Sequence, residues 1–297
     1  PDDKLLDINY VAREIIKNRL ISIKKRDEIR EYGMNKFSWK NIIDNFISIC
    51  HYKNVQINKV TAVTALFDIN REKNGDGRSI DYYLSLLNKT LQLNVSFVIF
   101  CEEKLFSKVS SMTRKNPETK IIIMNPSDIE YFKYIKTVEK ITKSDDYLSK
   151  IMGKNRLEVK LPVYNLLIMN KMNFMNIAAE NNYFDSNFFI WIDAGSSRFF
   201  GDYDIQKNIK WPVYDKLDYN KFNIQIKKTL FSENDIDKIM YHNDHFTTAT
   251  MFGGNPETIK RFVSLIRKTF DYMINKNCIN NEQITLAMVY KQQPELF

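Results

Sequence analysis

The chain has 297 residues, 44% of them hydrophobic and 27% charged, with only 8 Gly and 7 Pro, which excludes fibrous and disordered chains and allows a substantial core. Its formal charge of +8 reads first as a solvated basic surface, and it also suits an anionic small substrate such as a nucleotide diphosphate, or peripheral contact with an anionic membrane. No nucleic-acid-binding motif accompanies the scattered basic residues, and the densest run, Lys24-Lys25-Arg26, is answered at once by Asp27 and Glu28, so nucleic acid is not an expected partner.

Residues 1–56 read as an N-terminal helical extension. Leu5, Leu6, Ile8, Val11, Ile15, Ile16 and Leu20 form an approximate helical stripe, Gly33 ends that region, and Ser38 caps a second helix carrying Ile42, Ile43, Phe46, Ile47 and Cys50. From 57 to 297 the texture changes. Residues 60–67 form a β-rich apolar run ending at Asp68, followed by a polar loop at 70–77 and a helix through Tyr82, Tyr83, Leu86 and Leu87. Strands at 95–100 and 120–124 enclose a helix near 103–112, and 126–182 is mostly helical, with Pro162 opening one helix. A buried strand at 187–192 then delivers Asp193 onto the turn Ala194-Gly195-Ser196-Ser197-Arg198. A strand from Phe246 ends in Gly253-Gly254, and helices follow at 256–275 and from about 280. Strands alternating with helices predict an α/β fold with a mixed, mainly parallel sheet, whose ligands sit beyond the strands' C-terminal ends. The three cysteines, Cys50, Cys101 and Cys278, are too few and too widely spaced for a disulfide framework or a metal knuckle. No apolar run approaches the roughly 20 residues of a membrane-spanning helix, and no signal peptide is visible, which points to a cytoplasmic, at most membrane-peripheral protein.

Asp193 leads the candidates for chemistry. A carboxylate at a strand's C-terminal end is what a divalent cation bridging a diphosphate requires, while Ala194 and Gly195 let a sugar diphosphate approach the backbone; the rival reading is an Asp that caps a strand-end turn. Thr64 and Asp68 lie where a nucleobase or ribose would be gripped, or simply end a strand. Arg71, Arg78, Arg114 and Lys171 are candidates for phosphate or leaving-group charge, and Lys171 stands out because Leu167, Met169, Met172 and Phe174 surround it. Glu282 offers a base or nucleophile at a helix start, or only charge compensation there. His242 and His245 lack a third metal ligand at matching spacing.

Thr61-Ala-Val-Thr-Ala-Leu-Phe-Asp-Ile69 with Arg71, then Arg114, then Tyr164 with Lys171 and Ala178, then Trp191-Ile-Asp-Ala-Gly195 with Arg198, resemble the HtrL/YibB-like family. The resemblance covers about 59–290, and Trp-Ile-Asp-Ala-Gly is its most specific element. It implies a GT-A fold and transfer of a hexose from a nucleotide sugar, with a UDP-sugar favoured, to a hydroxyl of a glycan, lipid-linked saccharide or protein. It also implies a nucleotide-sugar site built from Thr64, Ala65, Asp68, Arg71, Arg114, Lys171, Ala194 and Gly195. The fold usually holds Mn²⁺ or Mg²⁺ on an Asp-x-Asp motif; here Gly195 stands where the second Asp would be, so Asp193 is either the sole carboxylate ligand or a hydrogen-bond partner of the sugar. Ala249-Thr-Met-Phe-Gly-Gly254 and Asn281-Glu-Gln283 are similar to segments of ABO-type retaining galactosyl transferases. That similarity implies Glu282 as the reactive carboxylate and His245, Thr247, Gly253 and Gly254 on the acceptor side. Two rivals share the architecture: a sugar nucleotidyltransferase, whose glycine-rich loop Asn74-Gly-Asp-Gly77 only poorly imitates, and a non-catalytic module binding glycan or another partner.

Overall fold

The computed structural model describes residues 8–28, 30–31, 59–113, 118–200, 211–212, 214–227, 235–243 and 246–297. The chain divides into two units, Pro1–Ile57 and Asn58–Phe297. In the first, helix α1 spans Ile8–Lys24, and Ile15 and Ile16 of its stripe are exposed, as is Tyr10. Gly33, Cys50 and the expected second helix beginning at Ser38 lie outside the described residues.

The second unit is built on the apolar runs that the sequence sets between polar turns. They form strands β1 (Val60–Leu66), β2 (Ser96–Cys101), β3 (Thr119–Ile123), β4 (Phe188–Ile192), β5 (Asn223–Ile226) and β6 (Thr247–Gly254), in one sheet of order β3-β2-β1-β4-β6-β5. β3, β2, β1 and β4 are parallel, with Thr61 beside Ser96 and Val60 beside Phe188; β6 runs antiparallel to both β4 and β5. This is the mixed, mainly parallel α/β sheet that was expected. β1, β2 and β4 are buried along nearly their whole length because helices cover both faces, which is why their sequences do not alternate apolar and polar.

One face is covered by α2 (Ile80–Thr90) and α3 (Glu103–Thr113), through Leu84, Leu87, Leu105 and Val109 packed with Ala62, Phe97 and Ile99. Ser79 caps α2 by accepting from the Tyr82 N–H. The other face is covered by α4 (Ile135–Thr142), α5 (Pro162–Met169), α6 (Lys171–Asn181), α7 (Pro256–Asn275) and α8 (Glu282–Gln292), whose side chains join Val63, Val98, Trp191 and Phe252 in the larger core. Pro162 occupies the first turn of α5, as expected, where its missing N–H costs nothing. The sequence reading missed β5, and it left 70–77 as loop where Arg71–Asn74 form one helical turn. Cys101 and Cys278 are buried free thiols, and burial pushes Cys101 up to about 11. Among the described residues no helix is long and apolar enough to cross a membrane.

Candidate active site

After β1 the chain crosses to β2 and β3 on one side, then returns through α5 and α6 to β4 on the other. The strand order therefore reverses between β1 and β4, and a parallel sheet opens a crevice beyond its C-terminal edge at such a point. A recess of about 240 Å³, open to solvent, lies there, lined by Ala65 to Ile69 after β1 and by Asp193, Ala194 and Gly195 after β4. The turn after β4 is fixed to α2: Thr90 Oγ1 donates to the Ala194 carbonyl (3.3 Å) and Ser197 Oγ to that of Leu86 (2.8 Å).

Lys171, at the start of α6, sits in the floor with only 6% of its surface exposed. Its ammonium reaches Asp193 Oδ1 at 2.7 Å and Glu282 Oε1 at 2.6 Å, and donates to the Ala249 carbonyl at 3.0 Å. All three N–H bonds are engaged. The Trp191 indole N–H also donates to Asp193 Oδ1, at 2.7 Å, and its ring is stacked between Phe174 and Phe252. Asp193 Oδ2 has no protein partner among the described residues, and Asp193 lines the recess. Burial works against the ammonium, but Asp193 and Glu282 outweigh it and hold the Lys171 pKa above the ordinary lysine range. Burial also raises the Glu282 carboxyl, with Lys171 opposing and Asp193 adding to the rise. Asn281 caps α8 by accepting from the Ile284 N–H, leaving Glu282 in the first turn, where the helix dipole favours a carboxylate.

The walls carry three arginines. Arg71 forks onto Asp76 through Nε (2.7 Å) and Nη2 (2.8 Å), between the rings of Tyr164 (4.9 Å to its centre) and Tyr83 (5.6 Å). Arg78 lies 3.4 Å from the same carboxylate and is partly exposed. Arg198 lies over Phe199 and has no carboxylate partner among the described residues. Asp68 also lines the recess, its oxygens held by the Asn70 N–H (3.0 Å) and Lys104 (3.1 Å), which keep its pKa below the usual range although burial raises it.

The structure thus brings Ala65, Asp68, Arg71, Arg78, Lys171, Asp193, Ala194 and Gly195 together. It separates others. Thr64 is wholly buried on the face of β1 opposite Ala65, because successive strand residues point to opposite faces. Glu282, implied by the resemblance as the reactive carboxylate, lies beneath Lys171 and is not among the residues that line the recess. Gly253 and Gly254 stand beside Ile190 and Phe189, at the N-terminal end of β4, because β6 is antiparallel; they are far along the strand from Asp193 and press on the Phe189 backbone and on Thr258. Thr247 is buried and donates to the Gln283 carbonyl (3.2 Å), tying β6 to α8. All three pack within the sheet and against α7 and α8. Arg114 and His245 lie outside the described residues. The sequence reading overlooked Tyr83 and Asp76 as site residues; the signal was available in Arg71 and Asp76 flanking a glycine-bearing turn, a spacing that lets them pair.

Three comparisons bear on this second unit. Protein HtrL of Escherichia coli (strain K12) is 26% identical over 254 residues, covering 80% of this chain and 86% of its own. Among solved structures, the apo form of mouse xyloside xylosyltransferase 1 superposes with a TM-score of 0.39 at 10% identity, covering 80% of this chain and 84% of that one. The family model described as "Bacterial protein of unknown function (HtrL_YibB)" matches residues 58–297, from the start of the sheet unit to the last residue, and by that match the chain belongs to the HtrL_YibB family.

Proposed function

We propose that the second unit is a glycosyltransferase that moves a hexose from a nucleoside-diphosphate sugar, a UDP-sugar first among the candidates, to a hydroxyl of a glycan, lipid-linked saccharide or protein. The observation that carries this reading is the recess at the β1–β4 reversal, which joins the Asp193 carboxylate, a small-residue turn and three arginines. Such a wall suits a leaving group that departs as a nucleoside diphosphate. The bond between the anomeric carbon and the diphosphate breaks, the electron pair stays on a phosphate oxygen, and arginine N–H donors stabilise the charge that develops. The acceptor oxygen forms the new bond to the same carbon, and its hydroxyl proton passes to the departing phosphate oxygen.

In this reading Asp193 touches the sugar through Oδ2, the oxygen that Lys171 and Trp191 leave free. Lys171 acts one step back: it holds Asp193 Oδ1 with the Trp191 indole and so fixes where Oδ2 points. Glu282 holds Lys171, which makes it a positioning residue in this reading. The test is to incubate the full chain with a panel of UDP-hexoses and follow release of UDP, first with water and then with mixed glycan acceptors. Turnover of one donor, lost in Asp193→Asn, supports transfer. Coupling of a sugar 1-phosphate to a nucleoside triphosphate would instead identify a nucleotidyltransferase, and binding that survives Asp193→Asn with no turnover of any donor would identify a binding module.

A further inference from the structure

How the donor's charge is met in this recess is a separate matter, and the inference below rests on reading the recess as a nucleotide-diphosphate site. A divalent cation that bridges a diphosphate needs hard oxygen ligands free to face it. Asp193 Oδ1 is already held by the Lys171 ammonium and the Trp191 N–H, both at 2.7 Å. A metal on the same carboxylate would stand beside a buried positive charge and be repelled by it. The second carboxylate of an Asp-x-Asp pair is missing, and Gly195 stands in its place; even a Cβ there would press on the Tyr83 ring, with Cε1 at 3.2 Å. Asp68 is engaged by Lys104 and the Asn70 N–H. The donor set does not fit Mn²⁺ or Mg²⁺. Cationic donors, in contrast, line the same recess, and Arg198 has no carboxylate partner among the described residues.

We propose that this recess holds the donor's diphosphate without a divalent cation, with Lys171 taking the metal's position on Asp193 and with Arg78 and Arg198 meeting the phosphate charge. Arg71 supports the wall but shares its fork with Asp76. The design reverses the usual order of attraction: carboxylates grip a protein cation behind the site, and guanidinium groups grip the ligand in front of it.

The test is titration calorimetry of the full chain with UDP, once in EDTA and once in Mn²⁺. UDP is expected to bind in EDTA with an affinity that Mn²⁺ changes by no more than about twofold. Arg78→Gln and Arg198→Gln are each expected to weaken UDP about tenfold, the loss of one charge-assisted contact, with no recovery in Mn²⁺. Both arginines are partly or fully exposed, so neither change threatens folding. Binding of UDP only in Mn²⁺, or tightened tenfold or more by it, overturns the inference while leaving the nucleotide site intact. Binding in neither condition rejects the nucleotide-site reading itself.

Discussion

At the scale of single residues the site turns on Lys171. Two carboxylates and a carbonyl hold it, and each would be left poorly matched without it. Lys171→Ala is therefore expected to destabilise the protein by about 3–5 kcal/mol, the usual cost of removing one partner from a buried ion pair, measured as a lower urea midpoint with unchanged slope. The alkaline limb gives a second check. The Lys171 pKa is raised in the folded state above its ordinary 10.5, so its contribution is complete below that pH and is lost as pH rises towards the folded value. Between the ordinary and the folded value, wild type should lose stability faster than Lys171→Met, which carries no such proton; parallel curves would contradict the pairing. Glu282→Gln separates a positioning acid from a reacting one. As a positioning residue it should lower turnover about tenfold or less and leave UDP affinity unchanged, whereas loss of a direct nucleophile costs far more.

At the scale of elements, the sheet and the helix starts decide what reaches the recess. β1 and β4 end side by side and present Asp68 and Asp193, while β6 runs the other way and sets its glycines beside Phe189 and Ile190, further back along β4. Gly253 lies where any side chain would meet the Phe189 carbonyl and the Ile190 backbone in the middle of the sheet. Gly253→Ala should cost about 1–3 kcal/mol of stability, as overpacking does, and leave the KM for any donor unchanged. A raised KM with full stability would return Gly253 to the site. The strands that hold the site were legible because buried parallel strands are written as unbroken apolar runs, as in residues 188–192. β5 was not, since its four residues, Asn223 to Ile226, are a half-exposed edge with no apolar run to mark them. Asp193 was legible from its place after such a run. The bond between Lys171 and Glu282 was not: 111 residues separate them, and only the packing of α6 and α8 on one face brings them together. For the same reason the sequence, which marked Glu282 as an acid at a helix start, did not show that it pairs with a lysine.

At the scale of the whole chain, the formal charge of +8 acquires a local meaning in the second unit, where three arginines, two after β1 and one after β4, line one recess. Two of them are partly or fully exposed, so their attraction for a diphosphate is open to screening. Raising ionic strength from roughly 0.01 M to 0.15 M shortens the Debye length from about 30 to 8 Å and should weaken UDP several-fold, whereas an uncharged nucleoside should bind equally at both. The family match spans this unit and the site within it, so the proposal for donor transfer concerns residues 58–297 alone. The measurement that tests it most directly is UDP release from a panel of UDP-hexoses by wild type and by Asp193→Asn, each checked by calorimetry for UDP binding. The account predicts that wild type turns over one donor well above the rest, and that Asp193→Asn binds UDP but is at least about 100-fold slower, as when a group acting in the transition state is removed. Equal release by both proteins, or no release by wild type from any donor while UDP still binds, would contradict it.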